Sequence, residues 1–273
     1  MPGDPVDLAA PPAQVLLPMP AVPAGAPFPS ALWLLRHGES EGNVAALAAY
    51  RSGASHLDLA ARDADVPLTA RGRSQAQAVG RWLAALPEDQ RPTRVLCSPY
   101  RRAVQTLQAA LGAGGLAVPA HTDERLRERD LGIFDGLTGR GIHELHADES
   151  VRRRHLGKLW YRPPGGESWA DVVLRVRSLL GTTLPHLAGE RVLLVTHQAV
   201  VMAFRIALEG LDEESALRID RDDPQPNCAL TRYEASGAHD AASAVALAAY
   251  ADTTAVDAST APVTEEPDAD VRP

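Results

Sequence analysis

The chain has 273 residues, a formal net charge of −8 and a sequence pI near 5.6. That balance argues against a general polyanion binder, because such partners select basic faces. Hydrophobic residues make up 45% and aromatics only 4%, enough for a sizeable core of Leu, Val and Ala. Two cysteines, Cys97 and Cys228, are too few for a disulfide framework, and no apolar run approaches the roughly 18 residues of a membrane span.

Residues 1–29 are rich in Pro and Ala and have neither a helical nor a strand period, so they read as a disordered arm. The arm lacks a basic start and carries Asp4 and Asp7, which is unlike a signal peptide, and a cytoplasmic location is expected. "ALWLLR" from Ala31 is short and continuously apolar, as in a buried strand. "LTARGRSQAQAVGRWLAAL" sets Ala76, Val79, Leu83 and Leu86 at helical spacing, and Pro87 closes it. "TRVLCS" reads as a second strand and "RRAVQTLQAALG" as a helix ended by Gly112.

After a less regular middle, "WADVVLRVRSLLGTTLPHL" is helical, "RVLLVTH" is the third clear strand, and the helix "QAVVMAFRIALEG" follows. "CALTRYE" and "AVALAAYAD" are late strands that could pair. Residues 254–273 read as an acidic disordered tail, which leaves residues 30–253 as one folded domain. Strands alternating with helices predict an α/β fold with a mostly parallel sheet covered on both faces.

Ligands in open α/β sheets sit at the carboxyl ends of the strands. The first strand ends at Arg36 and His37, the second at Ser98, four residues before Arg102, and the third at His197. Two imidazoles and two guanidiniums therefore meet at one sheet edge. Guanidinium forks match phosphate oxygens, and neither histidine is bracketed by the companions of a hydrolytic zinc site. The expected chemistry is metal-free: a neutral imidazole attacks phosphorus and forms a phosphohistidine, with a reference pKa of ~6.5 supplying the neutral form. The arginines and the second histidine would stabilise the transferred charge. A leaving alkoxide also needs an acid, and "DERLRERDLG" offers Glu124, Glu128 and Asp130.

These residues carry a resemblance. "LLRHGESEGN", "PLTARGRSQA", "CSPYRRAVQT", "LRERDLGIFDG", "PPGGES" and "VLLVTHQ" resemble, in order, the blocks of the histidine phosphatase superfamily, the phosphoglycerate mutase-like proteins. The resemblance spans about residues 30–250 and implies a three-layer α/β/α sandwich. It makes His37 the nucleophile and Arg36, Arg102 and His197 the rest of the phosphate pocket, with Glu128 as proton donor and Asn43 beside the phosphate. The same positions have plainer alternatives: Arg101 could replace Arg102 in the pocket, and Asn43 could serve as a helix N-cap.

The segment from "DLGIFDG" to "RPPGGES" is shorter than in the mutases it is similar to, which favours hydrolysis, because a mutase must keep water from the phosphohistidine. "KLWYRPPGGES" and "THQAVV" are similar to the bisphosphatase domain of enzymes acting on fructose 2,6-bisphosphate. On that likeness Arg154, Lys158 and Gln198 hold the sugar phosphate. Met202 stands where that domain has an arginine, Trp169 replaces a tyrosine, and no P-loop occurs, so this particular substrate is not implied.

The expected activity is thus a phosphomonoesterase acting on small phosphorylated metabolites, sugar phosphates first among them. The alternatives are a 2,3-bisphosphoglycerate-dependent phosphoglycerate mutase and, more remotely, a silent phosphate-binding module. No cofactor, metal, nucleic-acid or membrane partner is expected, and the oligomeric state is left open. His143 and His146 read as a solvated helix face, "RRRH" at 152–155 as surface, and Trp33 and Trp82 as core.

Overall fold

The computed structural model describes Val22, residues 26–235 and residues 245–256. Its strands are β1 (Ala31–Arg36), β2 (Arg94–Cys97), β3 (Ala120–Thr122), β4 (Arg191–Thr196), β5 (Leu230–Ala235) and β6 (Val245–Asp252). Its helices are α1 (Glu41–Ser52), α2 (Ala70–Ala85), α3 (Arg101–Gly114), α4 (Gly139–Leu145), α5 (Ala147–Leu156), α6 (Trp169–Thr182), α7 (Gln198–Glu209) and α8 (Glu213–Asp222). One sheet runs in the order β3-β2-β4-β1-β5-β6. β3, β2, β4 and β1 are mutually parallel, β5 lies antiparallel to β1, and β6 antiparallel to β5.

The two-residue period of a strand divides the core. Leu32, Leu34, Val192 and Leu194 face one layer with Val172, Val176 and Leu179 of α6 and Val200, Val201 and Phe204 of α7. Trp33, Leu35, Leu193 and Val195 face the other, with Ala76, Val79 and Leu83 of α2 and Ala103 and Leu107 of α3. The central strands are apolar on both faces because both faces are covered. This is the expected three-layer sandwich, with an antiparallel pair added at one edge.

Several boundaries differ from the sequence reading. α3 runs past Gly112 to Gly114, because the left-handed cap at φ +60° is Gly115. α6 stops at Thr182, and Pro185 lies in a separate 3₁₀ turn over Leu184–Leu187, since its ring cannot continue an α-helix. Elements β3, α5 and α8 were not anticipated, and α5 buries no residue at all, so its sequence has no apolar stripe to read. Val22 and Phe28 pack into the core on one side, and Ala255 and Val256 on the other. The packed residues therefore extend past both ends of the 30–253 span. The rest of the expected arm and tail, residues 1–21, 23–25 and 257–273, lies outside the described residues. Among the described residues, no helix is long and apolar enough to cross a membrane.

Candidate active site

At the end of β1 the chain is held from three sides. The His37 N–H donates to the Thr196 carbonyl of β4 at 3.0 Å, and the Cys228 N–H donates to the Arg36 carbonyl at 3.1 Å. Cys228 takes a left-handed φ of +57° to make that turn. The Gly38 N–H donates to Thr106 Oγ1 in α3 at 3.0 Å. A Cβ on Gly38 would stand 2.4 Å from the Gly72 carbonyl oxygen, and one on Gly72 would stand 2.0 Å from that of Glu39. Two glycines therefore let α2 dock directly onto the turn. Glu39 completes the joint: its N–H donates to Gln75 Oε1 at 2.9 Å, and its carboxylate accepts from Thr69 Oγ1 at 2.7 Å.

The His37 ring is buried, and its Nδ1 lies 2.8 Å from the Gly38 carbonyl. A carbonyl only accepts, so Nδ1 carries the proton and Nε2 keeps its lone pair. Arg102 Nε donates to that Nε2 at 3.3 Å. Burial, then the charges of Arg102 and Arg36, hold the imidazole well below its usual range, against the Gly38 carbonyl. His197 is buried too, its ring 5.1 Å from that of His37 and 5.3 Å from Tyr100. Its Nε2 meets Ser98 Oγ at 2.7 Å, while its buried Nδ1 has no partner among the described residues. Burial and the neighbouring charges of Arg102, His37, Arg175 and Arg36 push its pKa far down as well.

Both arginines are buried. Arg36 Nη1 donates to the Gln225 carbonyl at 2.7 Å, and Arg102 pairs with the Asp63 carboxylate at 2.8 Å. Arg101 points out to solvent, so it is Arg102 that reaches His37. Asn43 is not an N-cap. Ser40 caps α1, and Asn43 is its capping-box partner three residues on. The Asn43 Oδ1 accepts from the Ser40 N–H at 2.9 Å and from Asn227 Nδ2 at 3.3 Å.

The loop carrying Glu128 is tied to the sheet by Thr196 Oγ1, which donates to the Leu126 carbonyl at 2.8 Å. From α6, Arg175 donates to the carbonyls of Arg125 at 2.5 Å and Glu128 at 3.3 Å, and pairs with Glu167. Glu128 is half-buried and accepts from the Arg129 N–H at 2.8 Å. Burial raises its pKa, with help from Asp63, while Arg102, the Arg129 N–H and Arg175 oppose the rise. Glu124 is exposed, and exposed Asp130 has its Oδ1 committed to the Gly132 N–H at 2.8 Å.

Lys158 and Gln198 come together, but on a residue that the sequence reading missed. Buried Asp220 of α8 accepts from Lys158 Nζ at 2.9 Å and from Gln198 Nε2 at 3.3 Å. Arg154 does not join them and is exposed in the last turn of α5. Met202 is fully buried in the α6–α7 core. His143 is exposed, as expected, whereas His146 is half-buried against Phe134, ring centroids 5.4 Å apart. Asp63, Tyr100, Arg175 and Asp220 had no signal in the sequence, because each lies in an irregular stretch or at a helical position that a solvated charge would also occupy. Ser98 was visible only as the end of a strand.

An α/β sheet covered on both faces, with two buried neutral histidines and two arginines at the carboxyl edge of its parallel strands, defines a class of phosphate-handling proteins. The model of the histidine phosphatase superfamily (branch 1) matches residues 32–247, and the chain belongs to that superfamily. A 2,3-bisphosphoglycerate-dependent phosphoglycerate mutase of Methylobacterium radiotolerans is 35% identical over 187 residues, 67% of this chain and 80% of that one. The 6-phosphofructo-2-kinase/fructose-2,6-bisphosphatase of Gallus gallus is 31% identical over 63% of this chain, which spans 31% of that longer protein. Among solved structures, a mycobacterial glucosyl-3-phosphoglycerate phosphatase complexed with VO3 superposes with a TM-score of 0.58 at 26% identity, covering 81% of this chain and 98% of that one.

Proposed function

We propose that this protein is a metal-independent phosphomonoesterase acting on small phosphorylated metabolites through a phosphohistidine on His37. The observation that carries the reading is the fixed tautomer of His37: its Nδ1 proton is held by the Gly38 carbonyl and its Nε2 lone pair faces Arg102. In the first step Nε2 attacks phosphorus and the bond from phosphorus to the ester oxygen breaks. Glu128, whose raised pKa favours the protonated carboxyl, gives its proton to the leaving alkoxide. Arg36, Arg102, Asn43 and the Nδ1–H of His197 donate to the phosphoryl oxygens, where charge develops. In the second step Glu128, now a carboxylate, takes a proton from water. The hydroxide oxygen bonds to phosphorus, the nitrogen–phosphorus bond breaks, and neutral His37 returns.

Two features favour hydrolysis of a monophosphate. The short segment before the Pro-rich stretch suits a site that admits water. The charge of Lys158 is already met by buried Asp220, and Met202 offers no cation, so a second phosphate on the substrate finds little compensation. A sugar or polyol monophosphate fits better, and the similarity to a glucosyl-3-phosphoglycerate phosphatase agrees with it. The free buried thiols of Cys97 and Cys228 suit a reducing cytoplasm.

The test is hydrolysis of p-nitrophenyl phosphate and a panel of sugar mono- and bisphosphates in EDTA, with acid quenching to trap phosphohistidine. Sustained turnover in EDTA that prefers monophosphates, and whose trapped label is lost in His37→Ala, is the expected result. Loss of activity in EDTA would overturn the metal-free mechanism. Interconversion of 3- and 2-phosphoglycerate stimulated by 2,3-bisphosphoglycerate, with little free phosphate, would make the protein a mutase like its Methylobacterium relative.

A further inference from the structure

The reading of Arg102 as a phosphate-binding residue leaves one neighbour without a role. Asp63 opens a short 3₁₀ turn, Asp63–Asp65, and stands on Arg102. A guanidinium has five N–H donors in a rigid plane, and their use here can be followed one by one. Nη1 gives its hydrogens to the Asp63 carbonyl at 2.7 Å and to Oδ1 at 2.8 Å. Nη2 gives one to Oδ2 at 3.2 Å, and Nε gives its own to His37 Nε2 at 3.3 Å. The fifth, on Nη2, lies on the same edge as Nε–H. Asp63 thus engages the outer edge of the fork and leaves the inner edge turned toward the nucleophile.

The Asp135 carboxylate, on the loop after Glu128, lies near the Asp63 backbone and carboxylate. The Arg102 side chain is 6% exposed and that of Asp63 39%, so the acid covers a buried cation from the solvent side. The Arg102 guanidinium also stacks on Tyr100 at 5.2 Å, which restricts it to a plane but not to a rotation within it. The carboxylate supplies that remaining restraint.

We propose that Asp63 is a positioning residue: it clamps the outer edge of Arg102 so that Nε and Nη2 form a fixed two-donor edge for the phosphoryl group on His37. The proposal rests on the phosphatase reading, and it is opposed to the other obvious role of such a carboxylate, a competitor that phosphate must displace from Arg102. The two roles predict opposite signs. A clamp matters most when charge builds on the transferred group, so its loss lowers kcat more than it raises KM. A competitor's loss tightens anion binding.

The experiment compares wild type, Asp63→Ala, Asp63→Asn and Asp63→Glu with p-nitrophenyl phosphate as substrate and orthovanadate and orthophosphate as inhibitors. For Ala and Asn, kcat is expected to fall about tenfold or more, with vanadate inhibition weakened more than phosphate inhibition. Glu recovers part of the loss, and Asp63→Ala adds little once Arg102 is Ala, because the coupled pair acts as one unit. Unchanged kcat in the Ala and Asn variants, or tighter phosphate binding in either, overturns the proposal. Vanadate binding by a wild-type protein that turns over no ester would overturn the hydrolase reading alone, because the vanadate measurements would still report on Asp63.

Discussion

Burial costs a charge its hydration, and at the end of β1 that cost falls on imidazoles and on a carboxylic acid alike. It lowers His37 and His197 and raises Glu128, so each is driven toward its neutral form. In the proposed mechanism His37 must be deprotonated and Glu128 protonated. The acid limb of kcat/KM is therefore expected well below pH 6.5, at the depressed pKa of His37. The alkaline limb is expected above the usual carboxylate range, at the raised pKa of Glu128, with activity falling as pH rises through it. Glu128→Gln is expected to remove that alkaline limb. For an alkyl phosphate, whose leaving group needs the proton, it should lower kcat/KM by about 10²–10⁴-fold, the usual weight of a general acid. The loss should be smaller for p-nitrophenyl phosphate, and pH–rate profiles with the two substrates check both expectations.

At the scale of elements, the site depends on how closely α2 approaches the turn after β1. The Gly38 and Gly72 backbones pass each other with no room for a Cβ on either residue. The glycine of the RHG triplet thus answers to packing between elements more than to the chemistry beside it. Gly72→Ala is expected to cost about 1–3 kcal/mol, as overpacking of a closed interior does. It should also lower kcat/KM by shifting the Gly38 carbonyl that sets the His37 tautomer. A urea titration and kinetics on the same preparation read the two effects, and an unchanged midpoint would show that the joint has slack. α6 has a parallel task, since Arg175 and Glu167 brace the loop that presents Glu128.

Across the whole molecule, the two neutral histidines make folding sensitive to acid. In the unfolded chain each titrates near its reference pKa of ~6.5, whereas in the folded protein both lie well below it. The unfolded state therefore takes up protons first. Stability is whole above about pH 6.5 and falls below it, by at most about 1.4 kcal/mol per pH unit for each histidine. Glu128 works in the opposite sense, because its folded pKa is raised and it is protonated in the fold first as pH drops. The histidines are two against one, so the net expectation is a loss of stability between about pH 6.5 and 5. Urea midpoints over that range check it, and the slope should flatten in a His37→Asn/His197→Asn variant.

The sequence by itself determined the alternation of strands and helices, the two-faced sheet and the arrival of Arg36, His37, Arg102 and His197 at one edge. These follow from apolar periodicity and from the rule that parallel strands deliver their last residues to the same side. The choice of Arg102 over Arg101 was open until α3 was docked, because neighbours on a helix face different ways. Only the tertiary structure decided which charges meet. Asp63 reaches Arg102 across 39 residues, and Asp220 meets Lys158 across 62 and Gln198 across 22. Arg154 is left in solvent by a helix that buries nothing. Hydrophobic pattern is local and survives in the sequence, whereas ion pairing depends on distances that exist only once the layers have closed.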